Sequence, residues 1–406
     1  MKRHLFKPGR FLFAGFITAT LLTVNFSISH SESARGVTDT MIKIGVIIDL
    51  TGPTSVGTVP ISKGIRNLTK HINDNGGIHG RQIKLIIEDD RYSIPAGVAA
   101  FKKLISRDEV LGIIGPMSMG ETKVLYRHVE RFKVPMVPLV YDEWAIRPYK
   151  RYLFNPTDLY DDEIGVMFEY AVKDMKMKNA KVGFCYPDVE SGKTVFKLGK
   201  KWANTLGLKL HPEVLPLGLM DVTSQILSMK RNKVDVVFIH HVMSGAVALL
   251  KDMKKFGLNA PVLGTWPNCN EDTVTTAGSA SKNYMGAHAF SSWYDESPGA
   301  AKMRNITLKY HPGTEKPYRV KSYTVGWVMA TIFYKGLELA GENLDIETFV
   351  NGLESIKNLD TGGLVGPITY TSSSHRGLDS CKLFKADPEN GKLLSITDWR
   401  RPPIVE

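Results

Sequence analysis

The sequence predicts an α/β fold of two doubly wound lobes with parallel-sheet cores, joined by crossover strands. Three observations carry this prediction. Near-continuous apolar runs of strand length recur along the chain, amphipathic stretches of helical period lie between them, and the alternation occurs twice, before about residue 157 and again from about 160 to 284. At 406 residues the chain is also too long for most single cores.

The first 35 residues stand apart. "MKRHLFKPGR" is a basic leader, "FLFAGFITATLLTVNF" an apolar run of 16 residues, and "SISHSESA" small and polar, which is the order of a secretory signal. The run also approaches the length of a membrane span, so an uncleaved anchor is the alternative. No Cys follows it, which argues against a lipid anchor. The net charge is +11, and removing five basic residues and one acidic residue with the leader brings it to +7.

After the leader, "IKIGVIIDL" reads as a first strand and "ISKGIRNLTKHINDN" as a helix that ends at Gly76 and Gly77, where positive φ lets the chain reverse. "IKLIIE" is the next strand, and Pro95 opens the next helix, "AGVAAFKKLISRD", at a position where its missing N–H costs nothing. "VLGIIGP", helix "ETKVLYRHVERF" and "VPMVPLV" complete the first group; "KVGFCYP", "VDVVFIHH" and "APVLGTW" are strands of the second. None of these runs alternates in and out as a half-solvated antiparallel strand does.

Composition narrows function by exclusion. The basic residues are spread along the chain, and "KDMKMKNAK" and "KLGKKW" are interrupted by apolar residues at helical spacing, so they read as solvated helix faces rather than a nucleic-acid surface. Cys185, Cys269 and Cys381 match no zinc spacing and lie in or beside apolar strands; buried structural thiols are expected, with one disulfide as the alternative. His240 and His241 are adjacent on a strand and point to opposite faces, so they cannot both ligate one ion. No metal or cofactor is expected. Ser191 and His211 carry no supporting catalytic motif, and the sequons at Asn67 and Asn305 read as chance matches.

"IKIGVIIDLTGP", "INDNGGIHGRQIKLIIEDD" with "IPAGVAAFKKLI", "VLGIIGPMSMG", "VPMVPLV", "VDVVFIHH" and "VGPITYTSSSHRG" together resemble, in order, the leucine/isoleucine/valine-binding family of periplasmic solute receptors. The resemblance covers essentially the whole mature chain. It implies a type I periplasmic-binding fold that holds a small-molecule ligand in the cleft and delivers it to a membrane ABC permease, in a periplasmic, monomeric protein without enzymatic activity. Lobe one would comprise residues 41–157 and 290–379, lobe two 158–289 and 380–406. A sensory receptor of the same fold, signalling to a membrane partner, is the alternative.

In an open α/β sheet ligands bind beyond the carboxyl ends of the strands. Thr51 follows the first strand, and Ser118, Met119 and Gly120 lead into a helix whose free N–H groups and positive dipole end suit a carboxylate. The leucine-binding pattern has a hydroxyl at Met119, a small residue at Leu139, Thr at Tyr141, Tyr at Val242 and, at Trp266, a Glu that pairs with the ligand ammonium. With Met, Val and Trp in those places the cleft is expected to be more apolar. Tyr141, Tyr160, Tyr186 and His240 are further cleft candidates, and Glu143 or Asp142 is the candidate replacement for the missing acid. The expected ligand is amino-acid-like or an apolar or aromatic carboxylate, with the carboxylate favoured because Trp266 has no charge.

Overall fold

The computed structural model describes residues 1, 5, 9, 34–218 and 221–404. The expected signal run therefore lies outside the described residues. Residues Ala34–Glu406 form one compact unit, and among the described residues no helix is long and apolar enough to cross a membrane.

The first sheet is laid down by β1 (Met41–Ile48), α1 (Ser55–Asp74), β2 (Gln82–Asp89), α2 (Ile94–Ser106), β3 (Gly112–Ile114), α3 (Met119–Phe132) and β4 (Met136–Val137). Its strands are all parallel, in the order β2-β1-β3-β4. Five consecutive residues at the end of β1 are buried, as expected for a strand covered on both faces. Gly76 (φ 99°) and Gly77 (φ 78°) make the left-handed turn between α1 and β2.

The second sheet follows, with α4 (Tyr160–Lys173), β5 (Lys181–Tyr186), α5 (Glu190–Leu206), β6 (Lys209–Val214), α6 (Thr223–Arg231), β7 (Val236–Ile239), α7 (Met243–Lys255), β8 (Val262–Gly264), α8 (Glu271–Ala277) and β9 (Tyr284–His288). The chain then forms α9 (Pro298–Tyr310), α10 (Lys321–Ala340) and α11 (Ile346–Glu354), and returns as β10 (Lys382–Asp387) and β11 (Lys392–Ser395). The order is β11-β10-β9-β8-β7-β5-β6; β5 to β9 are parallel, while β10 and β11 add antiparallel pairs at one edge. This sheet is therefore mixed rather than wholly parallel.

The segments that pass between the sheets run side by side. Asn155 N–H donates to His375 O and Gly377 N–H to Asn155 O, each at 2.9 Å, and the Tyr370 hydroxyl also donates to Asn155 O. α10 lies across α1, where Tyr323 receives a hydrogen bond from Asn67 (3.0 Å) and shares one with Thr307 (2.6 Å). Asn67 is buried in that network, so its sequon presents no acceptor at the surface. The three cysteines are buried and free, and no disulfide forms.

Candidate functional site

The carboxyl ends of the parallel strands carry nearly every residue singled out above. Thr51 follows β1, Ser118 follows β3 and Tyr141 follows β4; on the second sheet Tyr186 ends β5, His240 follows β7 and Trp266 follows β8. This is where an open α/β sheet offers loops and helix N-termini rather than strand edges.

Four of these residues meet. The rings of Tyr141 and Trp266 stack with centroids 4.5 Å apart and planes 12° apart, so a loop of the first sheet lies directly on a loop of the second. Tyr160 also stacks on Tyr141, with centroids 5.5 Å apart, receives a hydrogen bond from Trp266 Nε1 (3.3 Å), and meets the His240 ring edge-on at 4.8 Å. His240 Nδ1 bonds Thr265 Oγ1 at 2.9 Å, and burial, aided by His241, lowers its pKa to about 3. The ring is neutral at any working pH and supplies no charge. His241 faces the other way, toward Leu215 O (3.1 Å) and Gly245.

Ser118, Met119 and Gly120 stand at the start of α3. Ser118 is the N-cap: its hydroxyl accepts the Glu121 N–H at 3.3 Å, while the first amides of the helix have no intrahelical acceptor. The loop after β1 is pinned by Asp49, which accepts Thr54 N–H (2.8 Å), and by Asp89, which accepts the Thr51 hydroxyl (2.6 Å) and Leu50 N–H (2.8 Å). Asp49, Asp89 and Asp90 lie close together, but Asp49 and Asp89 spend their oxygens on these donors.

Other candidates sit apart from the stack. Leu139 is buried in the core, with its N–H on Pro116 O at 3.1 Å. Val242 is 42% exposed at the N-cap of α7. Tyr186 stacks on Phe196 at 4.7 Å instead. Asp142 caps a single helical turn through Trp144 N–H (2.9 Å), and Glu143 pairs with exposed Arg147 (3.2 Å), so both acids serve the local surface. His211 contacts Glu213 (2.8 Å) and Ser228 (3.1 Å) through the same nitrogen, Nε2, which leaves no acid–base–nucleophile relay.

The structure adds residues that sequence reasoning missed. Glu163, in the first turn of α4, is 0% exposed and accepts the Trp266 backbone N–H at 3.2 Å. Asp158, also 0% exposed, accepts the Thr157 hydroxyl at 3.0 Å. Tyr92, on a turn with φ 53°, brings its hydroxyl beside Ser118, Asp90 and Glu121.

Glu121 is buried beside Asp90, and burial, then the neighbouring carboxylates of Asp90 and Asp49, raises its pKa to about 8. It is therefore mostly neutral at pH 7, which preserves the positive end of α3 for an anion. An unfolded Glu ionises near its ordinary 4.5. The unfolded chain thus binds fewer protons between the two values, and stability falls as pH rises from about 4.5 to about 8. Glu121→Gln removes this loss. Urea denaturation should find the variant about 2 kcal/mol more stable than wild type at pH 8 and nearly equal at pH 4.5, a figure discounted because Asp90 shares the proton and Tyr92 leaves the cluster partly open to water.

Comparison with known proteins agrees with this architecture. A family profile described as periplasmic binding protein matches residues 41–392. A Leu/Ile/Val-binding protein homolog of Brucella melitensis is 24% identical over 357 residues, covering 87% of this chain and 93% of that protein. A Leu/Ile/Val-binding protein of Rhizobium johnstonii is 24% identical over 385 residues, covering 93% and 99%. Among solved structures, the fold is shared with a fatty acid ABC transporter substrate-binding protein from Thermomonospora curvata (TM-score 0.82, 22% identity, 91% of this chain and 95% of that one). It is also shared with a branched-chain amino acid ABC transporter protein from Thermus thermophilus with bound valine (TM-score 0.81, 22% identity, 90% and 97%). Two sheets joined by crossover segments, with the strand ends facing one another through an aromatic stack, are thus the frame of a non-catalytic, extracytoplasmic solute carrier: the chain belongs to the periplasmic binding protein family.

Proposed function

We propose that the protein is the receptor of an ABC uptake transporter, capturing a small amino-acid-like or apolar or aromatic carboxylate in the cleft between its lobes and presenting it to a membrane permease. The lobes in this reading are 41–157 with 290–379 and 158–289 with 380–406, and export uses the leader of residues 1–35. The observation that carries the reading is the Tyr141–Trp266 stack at 4.5 Å, which joins strand-end loops of the two sheets.

In this account the N-terminal amides of α3, with Ser118, Met119 and Gly120, take the carboxylate. Tyr141, Tyr160, His240 and Trp266 form the wall against the apolar body of the ligand, and Thr51, Leu139, Tyr186 and Val242 shape or border the cleft. The ligand separates the stacked rings on entry and then touches both lobes, so its contacts favour the closed state, which is the form the permease reads.

A thermal-shift panel on residues 36–406 tests the reading. It pairs leucine, isoleucine, valine and phenylalanine with the matching acids that lack the amino group. A ligand at 100 times its Kd adds roughly 2.7 kcal/mol, which raises Tm by a few degrees. Stabilisation by one subset of the panel is expected; a flat panel contradicts this ligand class.

A further inference from the structure

Where the segments that pass between the sheets touch, one buried imidazole ties them to α11. His375 is 3% exposed, and its ring lies on Phe154 with centroids 3.7 Å apart. Its Nδ1 stands 3.0 Å from Lys150 O and 3.2 Å from Leu153 O, while its backbone O accepts the Asn155 N–H. Residue 375 therefore grips the run 150–155 at three points. The other nitrogen, Nε2, reaches Glu354 Oε1 at 3.2 Å and the Tyr149 hydroxyl at 3.3 Å, and that hydroxyl lies 3.0 Å from the same Oε1.

Counting hydrogens shows what this triangle lacks. Carbonyl oxygens only accept, so Nδ1 carries a hydrogen, and Nε2 of a neutral ring then presents a lone pair. Nε2, Oε1 and the Tyr149 oxygen hold one hydrogen among them, that of the hydroxyl. With the ring neutral, the Nε2 lone pair faces a carboxylate oxygen at 3.2 Å in a site where water does not screen them. A proton on Nε2 removes the conflict, because Nε2–H and Tyr149 O–H then both donate to Glu354 Oε1. The imidazole takes it in preference to the carboxylate, being the stronger base by about two pKa units when unperturbed.

The neighbouring cations leave that place open. Arg151, 3.6 Å from Glu354 Oε1, is paired with Glu347 at 2.7 Å. Lys150 turns its ammonium to Pro148 O and Trp144 O, Lys357 donates to Glu354 O and Tyr370 O, and Arg376 is held by Asp162 and Leu378 O. Tyr370 meets the imidazole edge-on at 6.2 Å and gives its hydroxyl hydrogen to Asn155 O. Burial pushes the ring pKa down, and the Glu354 carboxylate and the two carbonyls work against it.

We infer that His375 and Glu354 form a proton-operated clasp on the passing segments: with the proton on Nε2 the imidazolium joins residues 150–155 to α11, and without it the Nε2–Oε1 contact is repulsive and the clasp loosens. The clasp goes beyond the ligand reading and operates without ligand. In the receptor reading above, these segments are what bends as the lobes close, so acidification stiffens the hinge.

The test follows the ring and the segments separately in ligand-free residues 36–406. Histidine labelled with carbon-13 at Cε1 reports ring charge, with His375 assigned by its loss in His375→Gln. Hydrogen exchange, corrected for its intrinsic pH dependence, reports protection of the Asn155 and Gly377 amides. Wild type should show a His375 titration between about pH 5 and pH 8.5, with protection roughly tenfold higher on the acid side, the scale of one charge-assisted hydrogen bond. Glu354→Gln, whose amide donates to a neutral Nε2, should hold protection nearly constant across the same range. Glu121 titrates in both proteins, so the difference between them reads the clasp. If Glu354→Gln does not fold, His375→Gln replaces it, since a residue that binds no proton should also abolish the step in protection. A His375 ring that does not titrate in that range, or a wild-type protection profile that the variant reproduces, overturns the clasp. The thermal-shift panel judges the receptor reading independently.

Discussion

Trp266→Ala is expected to weaken binding of an aromatic carboxylate or amino acid by more than tenfold, or about 1.4 kcal/mol. The ring stacks on Tyr141 across the two loops and is only half buried, so a ligand that enters between them exchanges one aromatic face for another. Stacked aromatic pairs contribute roughly 0.5 to 1.5 kcal/mol beyond the area they bury, and the truncated side chain loses that area too. The backbone N–H that Trp266 donates to Glu163 survives the substitution, so the loss reads the ring alone. Trp266→Phe keeps a stacking face and should stay within about threefold of wild type. Titration calorimetry decides the matter: an unchanged affinity for Trp266→Ala removes this residue from the site.

Gly326→Ala should produce the largest loss of stability, at least about 3 kcal/mol, at the upper end of what overpacking costs. A Cβ at Gly326 on α10 would lie 1.9 Å from Ile61 O on α1, and one at Gly64 on α1 would lie 2.3 Å from Tyr323 O on α10. Both obstacles are backbone, so the helices must separate. Separation breaks the Asn67–Tyr323 hydrogen bond and the hydroxyl contact between Thr69 and Tyr334, leaving buried polar groups unpaired. Gly57→Ala on α1 meets nothing within 4 Å and should be neutral or slightly stabilising. Comparable urea midpoints for the two variants would contradict close backbone approach as the reason for glycine at position 326.

These two positions differ in how plainly the sequence announces them. Trp266, Tyr141 and Ser118 could be placed at strand ends from sequence because each follows an apolar strand, whereas Tyr160 opens α4 and no strand announces it. The buried strands β1, β5 and β7 were legible as apolar runs; β2 was read as one too, but as an edge strand it has only Ile83 buried. β4 shrinks to Met136–Val137 within "VPMVPLV" because Pro135 and Pro138 lack the N–H a ladder needs. β6 went unread because it is an edge strand, half-polar and interrupted by Pro212. α1 starts six residues before the expected Ile61, running through Pro60.

Glu163 and Asp158 were hidden for a different reason. In "TDLYDDE" they look like the acids that complement the positive end of a helix, and α4 does carry Asp161, Asp162 and Glu163 in its first turn. Only tertiary structure buries Glu163 under Trp266 and turns Asp161 outward to Lys201. The one available signal was the imbalance of four acids in seven residues at a crossover between lobes. Tyr92 was missed because its approach to Ser118 depends on a left-handed turn at a tyrosine, which sequence patterns rarely announce.

A crystal structure of residues 36–406 with the panel compound that gives the largest thermal shift tests the central claim most directly. The predicted result is a carboxylate on the first-turn amides of α3 beside Ser118 and Gly120, with the body of the ligand between Tyr141 and Trp266. The structure also has a cavity of about 200 Å³ between α1, α8 and the segment before α10, lined by Ser55, Val56, Pro60, Asp272, Lys316 and Val320. A ligand found there, with the Tyr141–Trp266 stack undisturbed, would contradict the account.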